Sequence, residues 1–307
     1  MSFSLRKTFG AAALIGFSML SSQVLAASVE TARGTVEVAD KPQKVVVFDL
    51  AALDTLDALG VEVVGVPGSN IPPSLEKYKA DSYTKVGSLF EPDYEAVNAL
   101  KPDLIIVGAR SAAKFDDLSR LAPTIDLTAD PNDYAGSIER NARTLGAIFG
   151  KQDEVEKRIA GLEASIDALK QKASSIGTAL VVLTTGGKIS AYGPGSRFGQ
   201  MHDQYGMAAA DPDLEVATHG QVISYEYILE KNPDWLFVID RDAAIGQGSA
   251  QPAAQLLDNE IVTRTNAAQN GRIVYLDPVR MYLTSSGLRA EEQIVEEVRT
   301  AIAPKSL

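Results

Sequence analysis

Four loops of this 307-residue chain place an arginine shortly after a short apolar run. Arg110 follows Leu104–Val107 through Gly108-Ala109, and Arg197 follows residues 188–191 through Tyr192-Gly193-Pro194-Gly195-Ser196. Arg241 follows residues 235–239 through Asp240, and a fourth loop, Asp277-Pro278-Val279-Arg280-Met281-Tyr282, follows residues 272–276. A single arginine on a loop is ordinarily a solvated charge. Several at comparable positions in a chain of net charge −11 form a pattern. If the apolar runs are strands of open α/β sheets, these loops lie beyond the carboxyl ends of the strands, where such sheets bind ligands. The chemistry implied is recognition of an anion.

Other reactive residue types are scarce. The chain has two histidines and no cysteine, which leaves no disulfide and no thiolate metal site. His202, in Gly199-Gln200-Met201-His202-Asp203 at what reads as a helix start, is expected to be structural. His219, in Thr218-His219-Gly220, has no evident packing role and is the better candidate ligand. Thr184-Thr185-Gly186-Gly187-Lys188 lacks the spacing of a phosphate loop and its hydroxyl residue after lysine, so its glycines read as a tight turn. No Gly-x-Ser-x-Gly elbow or His-Glu-x-x-His pair is present. No catalytic residue is assigned, and the chain is not expected to be an enzyme.

These loops need elements to position them. A hairpin is expected from residues 35–38 and 44–48 around Asp40-Lys41-Pro42, with residues 45–48 also reading as a buried strand. Residues 53–59 read as a helix stopped by Gly60, residues 61–66 as a strand, Tyr94–Leu100 as a helix and Leu104–Val107 as a strand. The second half repeats the scheme, with strands at 179–183, 188–191, 235–239 and 272–276 and a final amphipathic helix over 287–302. Strands alternating with helices imply βαβ units and largely parallel sheets. Between the halves, Val155, Ile159, Leu162, Ile166 and Leu169 recur at spacings of three and four, so Gln152–Ala173 reads as one helix of about six turns.

An internal repeat links the two halves. Tyr94-Glu95-Ala96-Val97 leads to Pro102-Asp103 and a strand, and Tyr225-Glu226-Tyr227-Ile228 leads to Pro233-Asp234 and a strand, at a constant offset of 131. Two Rossmann-like α/β lobes joined by one long helix follow. The expected division is a leader over 1–26, an N-terminal lobe over 27–151, the interlobe helix over 152–174 and a C-terminal lobe over 175–307.

The leader is read from the basic pair Arg6-Lys7, the apolar residues 9–20 and Val24-Leu25-Ala26, with cleavage expected after Ala26. Its apolar stretch is well short of the roughly 20 residues of a spanning helix. Losing the leader's two positive charges takes the net charge from −11 to −13, which argues against nucleic acid as a partner. With no cysteine to carry a lipid, the product is expected free in the periplasm of a double-membraned bacterium.

Several segments carry a family resemblance over essentially the whole exported chain. They are Val86-Gly87-Ser88 through Glu95 to Pro102-Asp103, Gly195-Ser196-Arg197-Phe198-Gly199 with His202-Asp203, Thr218-His219-Gly220, and Tyr282-Leu283 before Gly287-Leu288. The chain resembles the helical-backbone class of periplasmic binding proteins, and within it the binders of ferric siderophores from the enterobactin-fragment and anguibactin-like branch. The resemblance implies two lobes, a cleft between them and delivery of the cargo to an inner-membrane ABC permease by a monomer. It implies that Arg110, Arg197 and Arg241 face an anionic ferric catecholate, and that His219 and Tyr282 complete the iron shell of a tetradentate chelate. It also makes Glu95 and Glu226 the permease docking points. Ferric iron enters only as the siderophore complex, with no permanent cofactor. Two positions depart from the pattern: Met281 stands where an aromatic is expected, and Ser285-Ser286 replaces a glycine-rich run.

The physical chemistry suits that cargo. Each catecholate brings two negative charges, and arginine is permanently charged, weakly hydrated and able to stack on aromatic rings. Ferric iron favours oxygen donors, so a phenolate is a reasonable ligand and imidazole an acceptable one. The same fold could instead carry haem, cobalamin or a hydroxamate siderophore. A periplasmic esterase is the alternative from another class, and it lacks a nucleophile here.

Overall fold

The computed structural model describes residues 26–246 and 251–304; the expected leader lies outside the described residues apart from Ala26. The chain opens with strands β1 (Ala26–Thr31) and β2 (Gly34–Ala39), an antiparallel hairpin turning at Ala32-Arg33. Strands β3 (Val45–Val47), β4 (Gly65–Val66), β5 (Thr84–Lys85), β6 (Leu104–Val107) and β7 (Thr124–Asp126) form a wholly parallel sheet in the order β5-β4-β3-β6-β7. The second sheet comprises β8 (Thr178–Thr185), β9 (Lys188–Tyr192), β10 (Ala208–Ala209), β11 (Gln221–Ile223), β12 (Trp235–Asp240) and β13 (Ile273–Tyr275). Its order is β11-β9-β8-β12-β13, with β10 beside the start of β8. This sheet is mixed, since β9 and β11 run antiparallel to their neighbours.

The hairpin corrects the sequence reading. Residues 35–38 do form a strand, but its partner is β1, and β3 belongs to the first parallel sheet. Burial explains the choice. Val29 and Val38 point into the core while Glu30, Glu37 and Thr35 stay exposed, the one-sided alternation of a strand with one wet face. Val45, Val46 and Val47 are all fully buried, which requires a strand covered on both faces. Residues 61–64 fall outside the ladder, so the expected strand there is reduced to its last two residues.

Six helices matter for the site: α1 (Leu50–Ala58), α2 (Tyr94–Leu100), α3 (Tyr134–Phe149), α4 (Gln152–Ala173), α5 (Tyr225–Lys231) and α6 (Leu288–Ala301). Helix α4 has the expected span, and Val155, Ile159, Leu162, Ile166 and Leu169 are its buried stripe, joined by Ala173. Helices α2 and α5 are matching seven-residue segments. Asp93 and Ser224 cap their first turns, and Lys101 and Asn232 close them in left-handed conformation. The repeated Asp of each Pro-Asp pair then clamps the start of the adjacent strand. Asp103 accepts the amide N–H groups of Gln43 and Lys44 at 2.9 and 2.8 Å, and Asp234 accepts that of Thr178 at 2.9 Å.

Helix α6, counted with the second half in the sequence, lies against the first. Arg289 pairs with Asp54 and Asp57 of α1 at 2.8 and 2.7 Å. The amide groups of Leu288 and Ala290 donate to Thr55 and Asp54, and Glu292 pairs with Arg158 of α4 at 2.7 Å. The two sheets are therefore linked twice, by α4 and by the segment that returns from β13 to α6. Among the described residues no helix is long and apolar enough to cross a membrane.

Candidate functional site

Both sheets send the loops at their strand ends to one cavity of about 440 Å³, a size within the roughly 300–1,000 Å³ usual for ligand sites. Arg110 comes from the turn after β6, where Ala109 holds φ at +45°. That left-handed backbone costs a residue bearing a Cβ about 1 kcal/mol. It is held by hydrogen bonds from the Ala109 amide to Thr128 and from the Gly108 amide to Ser111. Arg197 comes from the loop after β9. Gly199 is required there, because a Cβ would stand 2.8 Å from Asp203 Oδ2 and 2.9 Å from the Gly193 carbonyl oxygen. The following Phe198 is fully buried and packs edge-on against Tyr192, which anchors the loop.

Tyr282 is where these loops converge. It lies within a π-helical turn, Arg280–Thr284, between β13 and α6, and such turns recur at functional sites. Arg110 donates from Nη2 to the main-chain oxygen of Tyr282 at 2.8 Å, and Arg197 donates from its Nη2 to the same oxygen at 3.0 Å. Arg241, the first residue after β12, donates from Nε to the Tyr282 phenol oxygen at 3.0 Å and from Nη1 to Thr185 Oγ1 at 3.1 Å. The three guanidinium carbons lie 4.9, 4.5 and 5.5 Å from the Tyr282 ring centroid. Arg110 and Arg197 have no carboxylate within ion-pair distance among the described residues, whereas Arg241 is 3.6 Å from buried Asp242.

The electrostatics follow from this crowding. Burial holds the Arg110 guanidinium below its ordinary range, and the positive charge of Arg197 adds to the effect. Burial would by itself push the Tyr282 phenol up. The hydrogen bond from Arg241 and the charges of Arg197 and Arg241 outweigh it, and the phenol sits below its ordinary value. Tyr134, at the start of α3, goes the other way: burial raises its phenol, which stays a donor and reaches Ser285 Oγ at 2.8 Å. Asp49, the N-cap of α1, has its carboxyl raised by burial despite the amide of Ala52 and the charge of Arg110.

The structure thus brings Arg110, Arg197, Arg241 and Tyr282 together. Arg241 sits behind Tyr282 and does not line the cavity itself. His219 is not brought in: Val216, Ala217 and Thr218 line the cavity, and the His219 side chain is exposed beside them. His202 donates from Nδ1 to the Met207 carbonyl oxygen at 3.1 Å, and burial lowers its pKa, as suits a structural residue. Arg280 is taken up by Asp277, Gln293 and Glu297 outside the cavity. Glu95 and Glu226 are exposed in the first turns of α2 and α5.

Asp49, Asn132 and Tyr134 line the cavity without being singled out from sequence, and Ser285, marked there only as a departure from the family pattern, lines it too. Asp49 was within reach of the strand-end rule, since it stands two residues after β3; a search for positive charge passes over it. Tyr134 and Asn132 follow β7, a three-residue strand with no periodicity to announce it. Among the described residues no group of three or more His, Cys, Asp or Glu side chains is placed to hold a metal ion.

Comparison with known proteins gives a consistent result. The petrobactin-binding protein YclQ of Bacillus subtilis is 44% identical over 269 residues, covering 87% of this chain and 84% of its own length. The ferric-anguibactin-binding protein FatB of Vibrio anguillarum is 32% identical over 276 residues, covering 88% and 85%. The crystal structure of the periplasmic catecholate-siderophore binding protein VctP of Vibrio cholerae superposes with a TM-score of 0.86 at 36% identity, covering 90% of this chain and all of that one. Residues 45–279 match the family described as periplasmic binding protein, and the chain belongs to that family.

Proposed function

We propose that this protein captures an anionic ferric siderophore, of catecholate type, in the cavity between its two sheets and delivers it to an ABC permease. The observation that carries the reading is the convergence of Arg110 and Arg197, both without carboxylate partners, on Tyr282 in one cavity, with Arg241 bonded to the Tyr282 phenol from behind. Each guanidinium has five N–H donors, and the bond to the Tyr282 carbonyl occupies one of them, so donors remain for phenolate oxygens. The faces of the same groups can stack on catechol rings. The names of YclQ, FatB and VctP, all siderophore binders, point the same way.

Iron is cargo in this scheme. It enters already chelated, and Tyr282, its phenol held low, is the protein's oxygen donor to any coordination site a tetradentate chelate leaves open. His219 would be the second donor, after its exposed loop folds over the cavity mouth. The divisions at 27–151, 152–174 and 175–307 follow the chain through the two lobes and their connecting helix, except that α6 at the end of the last packs on the first lobe. The protein acts as a monomer, released into the periplasm by cleavage after Ala26, with no cysteine to anchor it.

Glu95 and Glu226 supply the docking points. They occupy equivalent positions on equivalent helices, one on each half, which suits a permease of two-fold symmetry. The test combines two readouts. Ferric catecholates should bind the purified protein with a visible charge-transfer band, and the Glu95→Lys/Glu226→Lys variant should bind them equally well while failing to support iron uptake. Absence of binding across a panel of anionic ferric chelates would remove the proposal, and normal uptake by the double variant would remove its docking part.

A further inference from the structure

Four large apolar side chains stand exposed among the described residues: Phe90, Val216, Val222 and Tyr275. Val216 lines the arginine cavity, and Tyr275 belongs to the edge strand β13. The other two stand one on each half, just ahead of the matching helices α2 and α5. Phe90, 56% exposed, precedes Glu95 by five residues, and Val222, 69% exposed, precedes Glu226 by four. In the repeat of offset 131, Phe90 is one residue ahead of the position equivalent to Val222.

A single exposed apolar residue is ordinary, so the backbone that presents these two matters. Residues 87–92 fold back on themselves. Gly87 and Pro92 form a bridge, Ser88 Oγ accepts the amide N–H groups of Phe90 and Glu91 at 3.2 and 3.0 Å, and the Ser88 amide donates to the Glu91 carbonyl oxygen at 2.9 Å. Gly87 holds φ at +99°, and a Cβ there would strike that same oxygen. Within this turn Leu89 is buried in the core and Phe90 is left in water. Val222 is fixed differently, on the edge strand β11, whose ladder to β9 pairs it with Ser190. Both side chains stand on ordered backbone, so seating them against a partner costs little further ordering. Their chain neighbours are wet and acidic: Glu91, Asp93 and Glu95 follow Phe90, and Ser224, Glu226 and Glu230 follow Val222, all exposed. An apolar centre with a charged rim is the plan of a binding hot spot. The sign of the rim calls for cations on the partner and is repelled by anionic lipid headgroups.

We infer that Phe90 and Val222 are the apolar anchors of the face that meets the permease, each seating in an apolar pocket rimmed by cations on one of its two matching subunits. The glutamates steer the approach, and the anchors set how long the complex lasts. Phe90, the larger side chain, contributes more than Val222. This rests on the docking proposed for Glu95 and Glu226.

The test measures binding of the fluorescently labelled protein, loaded with a ferric catecholate, to inner-membrane vesicles from cells that take up iron through it. Liposomes of the same lipids without protein are the reference. Phe90→Ser should weaken binding to the vesicles about thirtyfold, the scale of a lost aromatic hot spot, and Val222→Ser about fivefold. Both losses should lie in the dissociation rate and leave the salt dependence unchanged, whereas Glu95→Lys should slow association and flatten the salt dependence. Phe90→Leu, which keeps an apolar side chain, should recover most of the affinity, and calorimetry should show the ferric catecholate bound equally by every variant. Undiminished vesicle binding by the Phe90→Ser/Val222→Ser variant, with Glu95→Lys/Glu226→Lys failing to bind, would overturn the inference and leave the docking glutamates in place. Equal binding of the unaltered protein to the protein-free liposomes would overturn it in favour of a lipid surface. Equal binding to the vesicles by all variants would overturn both readings together.

Discussion

Arg289 and Arg197 are both partly buried, and their surroundings could hardly differ more. Arg289 meets Asp54 and Asp57 within 2.8 Å and ties α6 to α1, with the Arg158–Glu292 pair beside it. Arg197 meets no carboxylate; it leans on the Phe198 and Tyr282 rings and on a carbonyl already shared with Arg110. In the first cluster each charge is answered within the chain. In the second, two guanidinium groups that repel one another are held side by side. The difference separates arginine used to hold the fold from arginine whose charge the chain leaves unanswered.

The contrast can be broken from either side. Arg289→Met strands the buried Asp54 carboxylate and should lower unfolding free energy by roughly 3–5 kcal/mol, without altering the affinity of the folded fraction for a ferric catecholate. Chemical denaturation and calorimetry would measure the two separately. Arg197→Ala should do the reverse: affinity for the anionic chelate falls by about 2–5 kcal/mol, and stability holds or rises as the repulsion with Arg110 is relieved. If Arg197→Ala unfolds the protein as readily as Arg289→Met does, the distinction between the clusters is lost.

Glu291 sharpens the comparison, because it is a buried carboxylate with no ion-pair partner among the described residues. It accepts from Tyr205 at 2.7 Å and from Gln200, and burial raises its pKa from 4.5 to about 7. A raised carboxyl pKa means that the folded state holds the proton better than the unfolded state. Stability from this group is therefore full below pH 4.5 and is lost as pH rises to about 7. Glu291→Gln should remove that loss and stabilise the protein by about 3 kcal/mol above pH 7. A variant whose denaturation midpoint tracks the wild-type pH profile would mean that the carboxyl is solvated.

The smallest effect belongs to the iron shell. Tyr282→Phe and His219→Ala should each weaken a tetradentate ferric bis-catecholate about tenfold, about 1.4 kcal/mol, and shift its charge-transfer band. A hexadentate chelate should respond much less. Identical spectra for wild type and both variants would reduce the two residues to cavity wall and rim.

Much of this was legible in the sequence, for identifiable reasons. Helices α2 and α4 and strand β6 were read with their observed bounds, because apolar spacing and the Lys101-Pro102 stop are local signals. The arginine positions were legible because the end of a strand is fixed once its apolar run is recognised. Strand β1, which shares only Ala26 with the expected leader, was not read as a strand, so β2 was assigned the wrong partner. The π-turn was also invisible: nothing in Arg280-Met281-Tyr282 distinguishes it from an ordinary helix; within it Met281 is fully buried, and Ser285 just beyond it accepts from Tyr134. Arg280 shows the limit of the strand-end argument. It satisfies the rule as well as Arg241 does, yet nearby carboxylates claim it, and only tertiary placement decides between them.

The return of the chain to α1 has a mechanical consequence. A body attached to another at one point can swing in any direction, whereas a body attached at two can turn only about the line through them. With α4 as one attachment and α6 as the other, the sheets are left with a twisting motion and little room to gape. The walls that meet an arriving solute are then nearly those that hold it, so little ordering entropy is spent on capture. On the docking proposed above, the exposed first turns of α2 and α5, one on each half, give a partner two separated points at which to apply that twist.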